Sequence, residues 1–477
     1  MGTRGSRAAL GQHQDVDRVT TIEDFITGAA PPAAARKAAE RAVLDTIGVT
    51  LAGASEPAAQ SVQRAIRVCP SGENSRILGT SLCASATDAA LANGTAAHAH
   101  DFDDMCFVSL AHPSAPLVAA ALAAGDLAAA RGRALLDAHV VGFEIEARLG
   151  RVMNPRHYQR GWHCTSTLGT IGAAAAASRL LGLDATRTAH ALSIAASEAS
   201  GLKENFGTDV KPLHAGLAAR NGVHAALLAK NGMKASERAI DGPQGFLAVM
   251  DSANLTLAPA AADLGRRWEI VDSGITVKLY PSCAGTHPAL DALLDLRRRE
   301  KFAPEDVERI DIDVDAIVPT ILIHDRPATG LEAKFSMPFC VAAAVAFGGV
   351  GIDAFEAAQL RDPRVAALMP RVAMRVDPAL PGSAPALTQA RVTVTLKNGR
   401  TLSKGANGAR GYPSQPASDE ELGQKFLTCA RRTLSDDAAI RALEMVRRLE
   451  SVEDVRTITE ALTSGVARSE RARASTP

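Results

Sequence analysis

The chain has 477 residues, enough for two or three compact units, and 47% of them are hydrophobic while only 4% are aromatic. Lysine plus arginine equals aspartate plus glutamate at 52 each, so no net basic field recruits nucleic acid and no extended acidic partner is indicated. The seven cysteines are odd in number, scattered and free of CxxC pairs, which argues against both a disulfide framework and a thiolate zinc site.

Residues 1–20 are polar, lack an apolar signal core and are expected to be disordered. Helical spacing of apolar residues then predicts helices at 35–51, 115–131, 135–149, 167–181, 185–200 and 214–231, with Gly182, Gly201 and Gly232 placed as helix stops. The most apolar of these runs are alanine-rich and broken by polar residues or glycine. They are too short to span a bilayer, so a soluble cytoplasmic protein is expected.

The texture changes near residue 274. Residues 274–280 read as extended, and 307–318 alternates Ile310, Ile312 and Val314 with Asp311, Asp313 and Asp315. A further strand is predicted at 371–376, and 391–402 reads as a hairpin turning at Asn398-Gly399, with helices at 288–300 and 338–347. Helical pattern returns at 419–462, and 466–477 is a polar tail expected to be disordered. The predicted fold is mainly α with a smaller α+β domain. One economical arrangement is a large all-helical domain formed by both chain ends, 1–273 and 411–465, with the α+β domain inserted at 274–410.

Four segments carry more reactive side chains than their surroundings need. The first, His98-Ala-His-Asp-Phe-Asp-Asp104 followed by His112-Pro-Ser, concentrates groups that hold a proton, a metal or an anion. Read as a helix, it sets His100 and Asp104 one turn apart; a hydrated helix end with capping aspartates is the plain alternative. The second, 161–167, places His163 before an alanine-rich helix that Ser166 or Thr167 would cap, leaving amides that favour an anion. The third, 207–216, sets Lys211 before Pro212 and the helix beginning at His214. There a lysine is a carboxylate partner or, once desolvated, a base. The fourth, 277–288, gathers Lys278, Ser282, Cys283 and His287 at the domain junction, where clefts form. Cys283 is a nucleophile only if a base reaches it, and is otherwise a small core thiol. There is no dinucleotide loop, Walker A sequence or GxSxG elbow.

These segments together resemble the MmgE/PrpD family. The resemblance rests on Asn93-Gly94-Thr95 through Asp101-Phe102-Asp103-Asp104 and His112-Pro113-Ser114, then Gly161-Trp162-His163 with Thr167-Leu168-Gly169, Lys211 to Gly216 and Lys278 to Cys283. It extends through Lys334-Phe335-Ser336 and Ser418 to Leu422, covering roughly residues 20–460. The family includes 2-methylcitrate dehydratases, cis-aconitate decarboxylases and iminodisuccinate epimerases. It implies the two-domain arrangement above with the α+β domain as a lid, a homodimer and no obligatory metal or organic cofactor. By similarity to its decarboxylase branch, Asp101, His112, His163, Lys211 and Lys278 line the active site. Where that branch has a further histidine this chain has Cys283, and one extra residue separates Asp101 from His112.

All three family reactions develop charge beside a carboxylate while a proton or CO2 leaves the neighbouring carbon. The expectation is a cofactor-independent lyase acting on a small di- or tricarboxylate, most simply a 2-methylcitrate dehydratase-like hydro-lyase. His112, Lys211 and Asp101 would be catalytic, with Asp101 orienting His112, and His163, Lys278, Ser282 and Cys283 would bind substrate. An imino- or aminodicarboxylate epimerase and a cis-aconitate decarboxylase are the alternatives within the family. A metal-dependent hydrolase built on the 98–112 cluster is the alternative from another class.

Overall fold

The computed structural model describes residues 21–251, 255–380 and 388–464. Within them the fold is mainly α with a small α+β portion. The predicted tail and the first twenty residues lie outside the described residues.

Alanine sets the character of the helical layer. The helix Cys164–Leu180 runs buried from Cys164 to Ser178, flanked by Ser114–Ala128, Gly132–Met153 and Val210–Lys230. Small side chains let these axes approach closely. A close crossing is that between Ala86–His98 and Val210–Lys230, where a Cβ on Gly94 would lie 2.8 Å from the Cα of Gly216 and one on Gly216 would lie 2.2 Å from Thr95 Oγ1. Any larger residue there would push the helices apart, together with His98, Lys211 and His214, which they carry.

The described residues form two main apolar cores. One joins Phe25, Ile47, Leu117, Phe143 and Leu168 to Phe426, Leu443 and Leu462, so both ends of the chain build it. The helix Asp419–Ala430 lies on Ala33–Gly53, with Phe426 against Gly48 and a buried Lys425–Asp45 ion pair at 2.6 Å. The second core gathers residues between Tyr280 and Leu396 beneath a four-stranded sheet. Its spatial order is Val372–Val376, Val307–Val314, Ala390–Leu396, Thr401–Ala406; the first pair is parallel and the others antiparallel. Ile310, Ile312 and Val314 point to the core opposite Val394, Val392 and Ala390, while His287–Glu300 and Met337–Phe347 cover the sheet. Among the described residues no helix is long and apolar enough to cross a membrane.

Four local expectations need correction. The helix Ala86–His98 stops at His98 and Asp101 adopts a left-handed φ of 52°, so His100 and Asp104 are not stacked on a helix face. Aspartate tolerates that conformation better than most residues. Residues 274–280 form no strand; instead Met105 and Thr276 exchange backbone hydrogen bonds of 2.9 and 2.8 Å, an isolated bridge tying the 99–113 loop to the segment that carries Lys278. The helix after Gly161 starts at Cys164 with His163 at its N-cap, so Ser166 and Thr167 sit inside its first turn and do not cap it. Likewise Val210–Lys230 begins ahead of His214 and takes in Lys211 and Pro212, since proline is tolerated in a first helical turn.

Candidate active site

Asp101 is the hub of the site. Lys278 Nζ donates to its backbone carbonyl at 2.6 Å and to its Oδ2 at 2.8 Å, and Lys211 Nζ donates to its Oδ1. All three side chains are buried. Burial alone would raise the Asp101 carboxyl, but the two ammonium groups outweigh it and hold the group well below the usual carboxylate range. The loop that presents Asp101 is held from behind by Lys425, which donates to the Phe102 carbonyl at 2.7 Å.

His112 stands beside this triad with its ring 12% exposed. Its Nε2 lies 3.8 Å from Asp101 Oδ1 and its Nδ1 lies 3.3 Å from Asp103 Oδ2. Sequence reasoning paired His112 with Asp101, whereas the nearer carboxylate is Asp103, because the lysines already occupy both oxygens of Asp101. Asp103 also accepts His98 Nδ1 at 2.8 Å. His98, Asp103 and His112 form the one grouping with metal-ligand spacing among the described residues, their ligand atoms all within 4.8 Å of one another.

His163 is buried with its Nδ1 3.0 Å from His214 Nδ1, its ring stacked on His98 and edged by Phe206. Burial, reinforced by His98 and Lys211, depresses it well below the usual histidine range. It therefore offers a hydrogen bond and not the positive charge expected of it. His214, which sequence reasoning noted only as a helix start, is lowered to about 4 by burial and by Lys211.

Asp101, His112, His163, Lys211, Lys278 and Cys283 all line one cavity. Ser282 is not among the lining residues; it is fully buried and its hydroxyl bonds Thr286 Oγ1 at 2.8 Å. Burial pushes the Cys283 thiol up to about 11, so it faces the cavity as a neutral thiol and a poor nucleophile. Most of the remaining lining is apolar or aromatic, including Met105, Leu110, Tyr158, Phe206, Ile317 and Phe335, with Thr388 a polar exception. Sequence reasoning missed most of these; only Phe335, inside the Lys334-Phe335-Ser336 motif, carried a signal. Lys334 braces the Lys278–Cys283 segment, donating to the Pro281 carbonyl at 2.9 Å, and burial lowers it to about 7.

Cations and imidazoles gather around Asp101 in a largely apolar cavity, with a helical layer on one side and a sheet-bearing unit on the other, a site suited to an anionic small molecule. Family models describe the same two parts: the MmgE/PrpD N-terminal domain matches residues 22–257 and the MmgE/PrpD C-terminal domain matches 280–451. The chain belongs to the MmgE/PrpD family and is an enzyme of the lyase class. Among its relatives are the cis-aconitate decarboxylase of Homo sapiens, 30% identical over 437 residues and covering 89% of each chain, and that of Aspergillus terreus, 25% identical over 448 residues and covering 88% of this chain and 90% of the relative. The cis-aconitate decarboxylase-like protein oryM of Aspergillus oryzae is 28% identical over 449 residues, covering 89% of this chain and 92% of the relative.

Proposed function

We propose that the protein is a decarboxylating lyase acting on an unsaturated tricarboxylate of the cis-aconitate kind. The observation that carries this reading is the mixed cavity: Lys211, Lys278, His112 and His163 share its lining with Phe206, Ile317, Ile321 and Phe335. Two carboxylates of such a substrate are held by the lysines and the His163 ring. The third, on the carbon allylic to the double bond, then lies against apolar side chains where water is excluded. A carboxylate stripped of water loses CO2 more readily. The carbon–carbon bond to CO2 breaks, its electron pair moves the double bond one position along, and the enolate so formed is stabilised by the ammonium groups. His112 delivers a proton to the enolate carbon, completing a 2-methylene dicarboxylate.

The relatives named as cis-aconitate decarboxylases support decarboxylation over the dehydration expected from sequence. The second reading, a 2-methylcitrate dehydratase-like hydro-lyase, is favoured by one residue, Cys283, which stands where the decarboxylase branch has a histidine. Assaying cis-aconitate, 2-methylcitrate and iminodisuccinate side by side separates the readings. CO2 release from cis-aconitate alone is expected; elimination of water from 2-methylcitrate without CO2 would establish the hydro-lyase. We further propose a cytoplasmic homodimer in which the unit at 274–410 acts as a lid, on the strength of the family resemblance. Light scattering on the purified protein tests the dimer.

A further inference from the structure

Resting on the lyase reading in one respect only, that His112 is the proton donor, the geometry points to Asp103 as the residue that positions it, with His98 as the clamp that holds Asp103. Asp103 and His98 are fully buried. Two imidazole nitrogens, His98 Nδ1 at 2.8 Å and His112 Nδ1 at 3.3 Å, face the same oxygen, Asp103 Oδ2. A carboxylate oxygen facing two nitrogens accepts from both only if each nitrogen carries its hydrogen. His98 Nδ1 makes that hydrogen bond, whereas His112 Nδ1 approaches the oxygen at 3.3 Å without making one; a hydrogen on the nitrogen nearest the carboxylate is favoured electrostatically, which assigns Nδ1–H to both rings.

For His112 the consequence is directional. With Nδ1–H turned toward the Asp103 carboxylate, Nε2 is the nitrogen left to exchange a proton with a substrate, and it lies 3.8 Å from Asp101 Oδ1. When Nε2 is protonated, the positive charge lies against the Asp103 carboxylate behind it. Asp101 cannot serve in this way, since Lys211 and Lys278 hold its two oxygens. Burial raises the Asp103 carboxyl, yet the two imidazoles outweigh it and keep the group ionised. His98 is lowered to about 4 by burial and is a neutral donor at neutral pH. Being the last residue of the helix Ala86–His98, with its ring 4.7 Å from that of His112, it gives Asp103 a rigid anchor.

The test reads the tautomer directly and then its kinetic effect. In protein carrying 15N-labelled histidine, with the His112→Gln spectrum used for assignment, imidazole NMR of His112 is expected to show Nδ1 protonated. Asp103→Asn is expected to lower kcat by about 100-fold or more with KM changed only a few-fold. His98→Asn, which keeps a donor near the Nδ1 position, is expected to retain more activity than His98→Ala. An Nε2–H tautomer in neutral His112, or Nδ1 atoms stripped of hydrogen by a bound divalent cation, would overturn the inference. So would an Asp103→Asn protein that folds and turns over at the wild-type kcat. If the wild type turns over none of the three substrates, the lyase reading fails while the tautomer result still decides the role of Asp103.

Discussion

At the residue scale the site is an exercise in keeping buried charge paired. Asp101 is tolerated in a buried position because two ammonium groups face it, and removing either leaves one of its buried oxygens without a donor. Lys278→Met is therefore expected to damage the protein twice, by freeing one Asp101 oxygen and by removing a substrate anchor. Activity loss of at least about 100-fold, with a lower melting temperature, is the expected outcome, checked by steady-state kinetics and calorimetry. His112→Gln keeps similar volume but removes the proposed proton donor, so kcat should fall by about 100- to 10,000-fold with little change in melting temperature. These residues were legible in the sequence through their motifs: Asp101, His112, His163, Lys211 and Lys278 all reach the cavity wall. The pairing of His112 with Asp103 was not, because the 99–113 loop folds back through the left-handed backbone at Asp101, and spacing along a helix says nothing about such a turn. The aromatic wall was also hidden. Tyr158 and Phe206 look like any other core residues until distant segments bring them together.

At the element scale two features control where those residues stand. The first is the crossing of Ala86–His98 and Val210–Lys230. Gly216→Ala would set a Cβ against Thr95 and the Leu91 carbonyl, and is expected to destabilise by about 1–3 kcal/mol while lowering kcat, because Lys211 and His98 move with the helices. Denaturant unfolding and kinetics on one preparation check both. The second is the start of Ser114–Ala128, where Asp104 Oδ1 accepts the Ser114 N–H at 3.1 Å. Burial pushes Asp104 up to about 8, so the folded state binds a proton there that the unfolded state releases near pH 4. Stability from this group is thus present at low pH and lost as pH rises from about 4 to about 8. Asp104→Asn mimics the protonated form, so its melting temperature relative to wild type should rise steadily between pH 5 and 8. A constant gap would contradict the assignment. The helices themselves were readable from alanine-rich periodicity, and their ends drifted only by a few residues. The 274–280 segment misled because extended apolar residues fit either a strand or a single bridge to a loop.

At the scale of the whole molecule the first core is closed by both ends of the chain. Phe426, Leu443, Val455 and Leu462 complete a core begun by Phe25, Val43 and Ile47, and Lys425 joins Asp45 to the loop that presents Asp101. A chain ending at residue 410 would expose that core, and is expected to be aggregated or unfolded by circular dichroism and size-exclusion chromatography. Lys425→Met in the full chain is expected to be milder, loosening the loop and lowering kcat more than stability. The alternation in the central strand and the Asn398-Gly399 turn made the sheet unit visible in the sequence. That the last helices return to the first set rests on contacts between residues nearly 400 positions apart, which no local pattern records. The chemistry follows from the same closure, since the cavity takes Lys211 from the helical layer, Lys278 from the segment leading into the sheet-bearing unit, and apolar side chains from both.

The central claim, that this cavity removes CO2 and returns a proton to the carbon left by the shifted double bond, is tested most directly by turnover of cis-aconitate in D2O followed by carbon and deuterium NMR of the product. One CO2 per product molecule, with a single deuterium on the methylene between the alkene carbon and a carboxylate and none on the terminal alkene carbon, is the predicted result. Deuterium exchange or gain and loss of water with all three carboxylates retained would contradict it.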